Sequence, residues 1–328
     1  MGLIEADKKA LALAAVQKAE TIVIAGHIDP DGDAVGSSLA WALILKKLGK
    51  QVVVYNQDAV PYSYEFLPGA ELFVDRLPET CDLLCLLDCS EFERAGKVLA
   101  EWRGYDQSLC IDHHLTADSA ADINLVYSRA SATGELIYEL ALCLDPAFGL
   151  DVAVNIYTAI LTDTGSFRYS NATPSSFIIA GDLVARGVEP WSVTQQVYES
   201  QPPGRIKLIG RVLDTLQIST SGKAAAVWVT RKIFTETGTN SEYSDGLVNY
   251  PRSIAGVEVA FMAREIGPQE YKLSFRSRGT VNVAALAAEF GGGGHHNAAG
   301  CRLQGRLPEL IEQVFTIIDN SLQSSVCK

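Results

Sequence analysis

Basic residues are scarce in this sequence. Across 328 residues, 27 lysines and arginines stand against 39 aspartates and glutamates, a formal net charge of −12. Such a deficit excludes a protein that coats long duplex nucleic acid, because that role needs a basic surface to displace counterions. Long apolar runs are missing as well. No stretch reaches the roughly 18 unbroken apolar residues that read as a membrane span, so no membrane partner is expected. The opening MGLIEADKKALALAAVQKAE is amphipathic and broken by charge, unlike the basic-then-apolar layout of an export signal. Ala6 stands where N-myristoylation asks for Ser or Thr. The seven cysteines, from Cys81 to Cys327, include no CxxC pair. Zinc-site spacing is therefore absent, and buried reduced thiols in a cytoplasmic protein are the expectation.

Histidine is rarer still, and its placement is informative. The five fall in three groups: His27, the pair His113-His114 and the pair His295-His296. The first two groups lie among aspartates, in GHIDPDGDAVGS and IDHHLTADS, and the third follows four glycines. None is scattered elsewhere. The charge is also uneven, with a balance of −13 over residues 1–221 and +1 over residues 222–328. An acidic part suits a cation site, and a near-neutral part suits an anion-holding surface.

The first half alternates short β-rich runs with helical stretches. Strands are expected at Thr21–Ala25, Val52–Tyr55, Leu83–Leu87 and Leu109–Ile111, and helices at Gly36–Leu48, Phe92–Glu101 and 151–162. Continuous apolar strands alternating with helices predict an α/β fold with a doubly wound, mostly parallel sheet. Ligands then bind beyond the carboxyl ends of the strands. The polar clusters sit there: His27 to Asp33 after the first strand, Asp88 after the third, Asp112 to His114 after the fourth. A helical linker is expected over residues 191–221. It separates a first domain, residues 1–190, from a smaller α+β domain with a mixed sheet, residues 222–328. In that second domain AAAVWVT, VEVAFMAREI and YKLSFRS read as strands, and Val281–Phe290 and Leu307–Leu322 as helices.

An EF-hand reading of DPDGDA fails. Counting from Asp29, the glycine and glutamate positions of a calcium loop hold Ala34 and Ala40. Imidazoles and carboxylates without thiolates suit manganese, with cobalt or magnesium as alternatives, better than structural zinc. Five or six acidic groups exceed what one cation balances. Two metal ions about 3.5–4 Å apart, sharing an Asp, would balance them and activate a water toward phosphorus.

Taken in series, GHIDPDGDAVGS, LLDCSEFERAG, IDHHLTADS and LTDTGSFRYSN resemble the successive motifs of the DHH phosphoesterase family. GGGGHHNAAG resembles the signature of its associated DHHA1 domain. Length and layout are most similar to the nanoRNase subgroup. Those enzymes degrade very short oligoribonucleotides to mononucleotides and convert 3′-phosphoadenosine 5′-phosphate (pAp) to AMP. The resemblance implies metal ligands at His27, Asp31, Asp33, Asp88, His113 and Asp163. Asp88 would bridge, and Asp29 would shape the loop. It implies that Asp112 orients His113 and that His114 faces the phosphate as a donor or general acid. It further implies substrate contacts at Arg252, Arg276, Arg278, Gly293, Gly294 and His295. The expected partners are short single-stranded RNA or nucleotides, and a homodimer is left open. Rival readings are a family II pyrophosphatase, disfavoured by the GGGGH loop, a phosphodiesterase for linear dinucleotides, and a non-catalytic nucleotide sensor.

Overall fold

The structure is a computed structural model that describes residues 2–114, 121–279 and 281–326, with the backbone alone at 295 and 323–326. Residues 115–119 of IDHHLTADS and Cys327 fall outside the described residues. The chain forms two compact units, Met1–Ser200 and Gln201–Lys328.

Six strands build the first unit: β1 Thr21–Ala25, β2 Gln51–Tyr55, β3 Phe73–Val74, β4 Cys81–Leu87, β5 Tyr105–Asp112 and β6 Ile123–Val126. They pair in the order β3-β2-β1-β4-β5-β6, every pair parallel. Its helices are α1 Ala6–Lys18, α2 Gly32–Lys47, α3 Lys97–Glu101, α4 Thr133–Leu144, α5 Leu150–Asp163, α6 Pro174–Ala185 and α7 Pro190–Thr194. Side chains alternate between the faces of a strand, and both faces here are covered. Ile22, Ile24, Leu83, Cys85 and Leu87 join a core that includes residues of α1, α2, α4, α5 and α6. Val23, Ala25, Leu84 and Leu86 join a smaller core with Ala95 and with Leu99 of α3. Burial on both sides explains why these strands read as unbroken apolar runs.

Helix α2 is buried nearly all round, between the sheet and α5. Small residues permit that approach. A Cβ on Gly36 would lie 2.5 Å from the backbone oxygen of Asn155 on α5. The stretch Phe92–Glu101, expected as one helix, is instead a 3-10 turn over Phe92–Ala95 followed by α3. Gly96 splits them with a φ of 99°, outside the helical region.

The second unit carries β7 Gln217–Ile218, β8 Ala224–Val229, β9 Val259–Gly267, β10 Glu270–Ser277, β11 Gly293–His295 and β12 Ala298–Gln304. The order is β11-β12-β10-β9-β8-β7, antiparallel except for the parallel pair β8–β9. Helices α8 Pro203–Leu213, α9 Arg231–Thr237 and α10 Asn249–Arg252 supply side chains to one face, or flank it, and α11 Val283–Ala288 and α12 Leu307–Val326 to the other. Residues 191–221, read from sequence as a linker, divide between the units: α7 belongs to the first, α8 and β7 to the second. Among the described residues no helix is long and apolar enough to cross a membrane.

Candidate active site

The sheet order reverses between β1 and β4. Strand β2 leaves β1 on one side, and β4 pairs with it on the other. Such a switch point opens a crevice at the strand ends. His27 follows β1 into it and Asp88 follows β4. The His27 ring is fixed by its own loop, where Nδ1 lies 2.8 Å from the Ile28 carbonyl oxygen. A carbonyl only accepts, so Nδ1 carries a proton and Nε2 is the nitrogen that faces the site, open to a metal ion once its own proton is displaced. Asp31 caps α2, its Oδ1 accepting from the N–H groups of Asp33 and Ala34 at 3.0 and 3.1 Å.

Asp33, in the first turn of α2, is buried and held from both sides. Ser37 Oγ and the Gly134 N–H donate to Oδ1 at 2.8 and 3.0 Å, and the Thr133 N–H donates to Oδ2 at 2.6 Å. Two of these donors are N–H groups of the first turn of α4, which lack partners within their own helix. Asp88 adopts a left-handed backbone, φ 56°. That conformation is costly for an L-residue and concentrates at functional sites. Thr133 Oγ1 donates to Asp88 Oδ1 at 3.0 Å. Thr133 thus secures two carboxylates at once and lies outside every motif read from the sequence, whereas Ser37 closes the first of them.

At the end of β5 the two histidines part. His113 Nδ1 lies 3.3 Å from the Ala130 carbonyl oxygen, and its Nε2 faces Asp33, Asp88 and Asp163 at 3.5–3.7 Å. His114 Nδ1 bonds Asp112 Oδ1 at 2.6 Å, and its backbone N–H donates to the same oxygen at 3.1 Å. The family resemblance pairs Asp112 with His113. Asp112 instead holds His114, the residue two further on, while a backbone carbonyl takes over for His113. Asp163 ends α5, and Asn171 Nδ2 donates to its Oδ2 at 3.2 Å and to the Ser131 carbonyl at 3.0 Å.

Two groups of side chains share this space: His27, Asp31 and Asp88, and Asp33, His113 and Asp163. Asp88 also meets His113 and His114 in a third. Asp88 Oδ2 lies 3.5 Å from His27 Nε2, and its Oδ1 lies 3.5 Å from His113 Nε2. These separations are too long for hydrogen bonds, yet the ligand atoms of each group lie within 4.8 Å of one another. Electrostatics agree that positive charge is wanted. Burial, with the Asp88, Asp163 and Asp31 carboxylates, drives the Asp33 carboxyl well above its ordinary range. Burial pushes Asp163 up to about 7, with the Asp31 and Asp88 charges adding to it against the His113 ring. Against burial, Asp31 and Asp88 push His27 up to about 12. A divalent cation relieves all three, and two imidazoles with the correct nitrogen free among carboxylates fit it. Asp29 stands outside the groups, exposed, with φ 51° and its N–H donating to Asp58 Oδ2.

Comparison with known proteins bears on the same residues. Residues 21–162 match the DHH family, N-terminal domain, and residues 222–323 match the DHHA1 domain. A bifunctional oligoribonuclease and PAP phosphatase, NrnA, of Thermus thermophilus is 34% identical over 307 residues, covering 92% of this chain and 90% of that protein. The chain belongs to the DHH family. It is a hydrolytic phosphoesterase. An exopolyphosphatase-related protein from Bacteroides fragilis has a similar structure, with a TM-score of 0.89, 28% identity and coverage of 99% of this chain and 98% of that one. RecJ of Thermus thermophilus, crystallised with Mn2+, shares the fold alone. Its TM-score is 0.51 at 14% identity, covering 94% of this chain and 54% of RecJ.

Within the DHHA1 unit the structure gathers the remaining sequence-predicted residues at one end of the sheet. Arg276 of β10 is in register with Ala298 of β12, which pairs with His295 of β11. Arg278 follows β10, and its guanidinium reaches the Ser253 carbonyl, next to Arg252, at 3.5 Å. The GGGGH segment, read from sequence as a loop, runs into a strand. Gly293 and Gly294 belong to β11, facing Gly300 and Ala299 of β12. The close pairing demands glycine, since a Cβ on Gly294 would sit 2.5 Å from the Ala299 Cα.

Proposed function

We propose that this DHH phosphoesterase hydrolyses short oligoribonucleotides to mononucleotides and pAp to AMP, with two divalent cations, manganese foremost, at the carboxylate–histidine cluster. The observation that carries this reading is Asp88, whose two oxygens face different histidines and so belong to two adjacent ligand groups. His27 and Asp31 would complete one group, and Asp33, His113 and Asp163 the other. Cations bound there supply Lewis-acid polarisation of a phosphoryl oxygen and a water that is deprotonated near neutral pH. The substrate named for the Thermus relative points the same way.

The chain's own groups then have distinct tasks. Asp112 accepts from His114 Nδ1–H and, against burial, favours the imidazolium, whose Nε2–H can donate to a phosphoryl or departing oxygen. Asp33 is locked by α4, and Asn171 steadies Asp163, so the cluster is shaped before substrate arrives. Arg252, Arg276 and Arg278, with His295 and the backbone of Gly293 and Gly294, would take the substrate's second phosphate and base. A pocket for two to five nucleotides needs few cations, which reconciles the charge of −12 with an RNA substrate.

The test supplies Mn2+ with pAp, a 5′-phosphorylated dinucleotide, long RNA and pyrophosphate in parallel. Release of mononucleotide from the dinucleotide and of phosphate from pAp is expected. Turnover of pyrophosphate alone refutes the proposal, and no turnover at all points to a binding protein.

A further inference from the structure

Arg94 has no part in the chemistry derived so far. Four arginines have no side-chain hydrogen bond or ion pair among the described residues: Arg94, Arg129, Arg231 and Arg302. The last three are exposed, so water satisfies them. Arg94 is half-buried. A guanidinium has five donors and no acceptor, and leaving them unpaired in a partly desolvated setting is costly.

Its place is not arbitrary. Arg94 lies in the loop that begins at the left-handed Asp88 and ends in the 3-10 turn Phe92–Ala95. That loop closes on the one bearing His27, since the Ile28 N–H donates to the Arg94 carbonyl oxygen at 2.8 Å. One residue is therefore tied to both ligand-bearing loops of the switch point. Its charge is felt at His114 and at Cys89, where it opposes the protonated imidazole and favours the thiolate. The nearby acceptors are engaged elsewhere: Asp112 holds His114, and Asp88 takes Thr133 and faces His27 and His113.

We propose that Arg94 is a further substrate contact of this site, its guanidinium donating to a non-bridging oxygen of the phosphoryl group presented to the cluster. The inference rests on the phosphoesterase reading above. A planar fork matches phosphoryl oxygens, and a site lined by carboxylates needs a fixed cation to admit an anionic substrate.

The experiment compares Arg94→Ala and Arg94→Lys with wild type on pAp and the 5′-phosphorylated dinucleotide, with Mn2+ stoichiometry and Tm measured alongside. Arg94→Ala is expected to lower kcat/KM by about 10²-fold, as removal of one donor to a developing charge does. Arg94→Lys should keep part of that activity, and millimolar guanidinium chloride should restore part of it to Arg94→Ala alone. Bound Mn2+ and Tm should stay at wild-type values. Unimpaired turnover by Arg94→Ala overturns the inference, and so does a loss matched by lost Mn2+. Wild type inactive on both substrates would instead overturn the functional reading on which it stands.

Discussion

Asp112 holds His114 by a 2.6 Å bond to Nδ1, and the pair is electrostatically matched. Burial disfavours both charges, yet His114 keeps the Asp112 carboxyl down at about 2, and Asp112 raises the imidazole above its ordinary value. Replacing Asp112 by Asn should therefore let His114 lose its proton at lower pH. We expect kcat to fall by about 10²-fold, the lower end of what general acid catalysis contributes. The alkaline limb of the pH–rate profile should move toward acid, with Mn2+ stoichiometry unchanged. A profile of unchanged shape would argue for a purely architectural pair.

Asp88 and Asp29 make a controlled comparison, since both have left-handed backbones. Asp88→Ala should abolish turnover and reduce bound Mn2+ below two per chain. Asp29→Ala should retain most activity. Asp29→Gly should be more stable than Asp29→Ala by about 1 kcal/mol, because glycine adopts that conformation freely. Calorimetric metal titration and thermal melts distinguish these outcomes.

Thr133→Val removes the hydroxyl bonded to Asp88 while leaving the backbone N–H on Asp33. A loss of about 10–100-fold in metal affinity is expected, typical of partners that orient ligands. Mn2+ titration of the folded variant measures it.

The metal-free protein should lose stability as pH rises from 5 to 8. Asp163 is pushed up to about 7 from an ordinary 3.8, so between those values the folded state holds a proton that the unfolded chain has released. His27, raised from 6.5 to about 12, does the same above 6.5. Both terms favour the folded state at lower pH and weaken as pH rises. Mn2+ replaces those protons, so the gap in Tm between Mn2+-loaded and chelator-treated protein should widen by several degrees toward pH 8, at about 2–4 °C per kcal/mol for a chain of this size. A gap that narrows would contradict the assignment.

Much of this was legible in the sequence because it is carried by local pattern. Apolar runs ending in Asp or His located β1, β4 and β5 and their strand-end residues, since a two-sided sheet forces both signals. What escaped was set by distant contacts. Nothing near residue 133 announces that its N–H will meet Asp33, a hundred residues earlier. The pairing of Asp112 with His114 rather than His113 depends on how the chain leaves β5. Gly96 was visible but its left-handed φ was not, and so one helix became two. The glycines at 291–294 read as a loop, whereas at Gly292 and Gly294 the approach of β12 leaves no room for a Cβ.

The proposed ligands lie on four separate segments between His27 and Asp163, brought together by β1, β4 and β5 of one sheet with α2 and α5. No contiguous fragment short of that span contains the whole set. Limited proteolysis anywhere within it that releases a segment should extinguish turnover outright instead of grading it. Activity therefore reports on the integrity of the entire first unit.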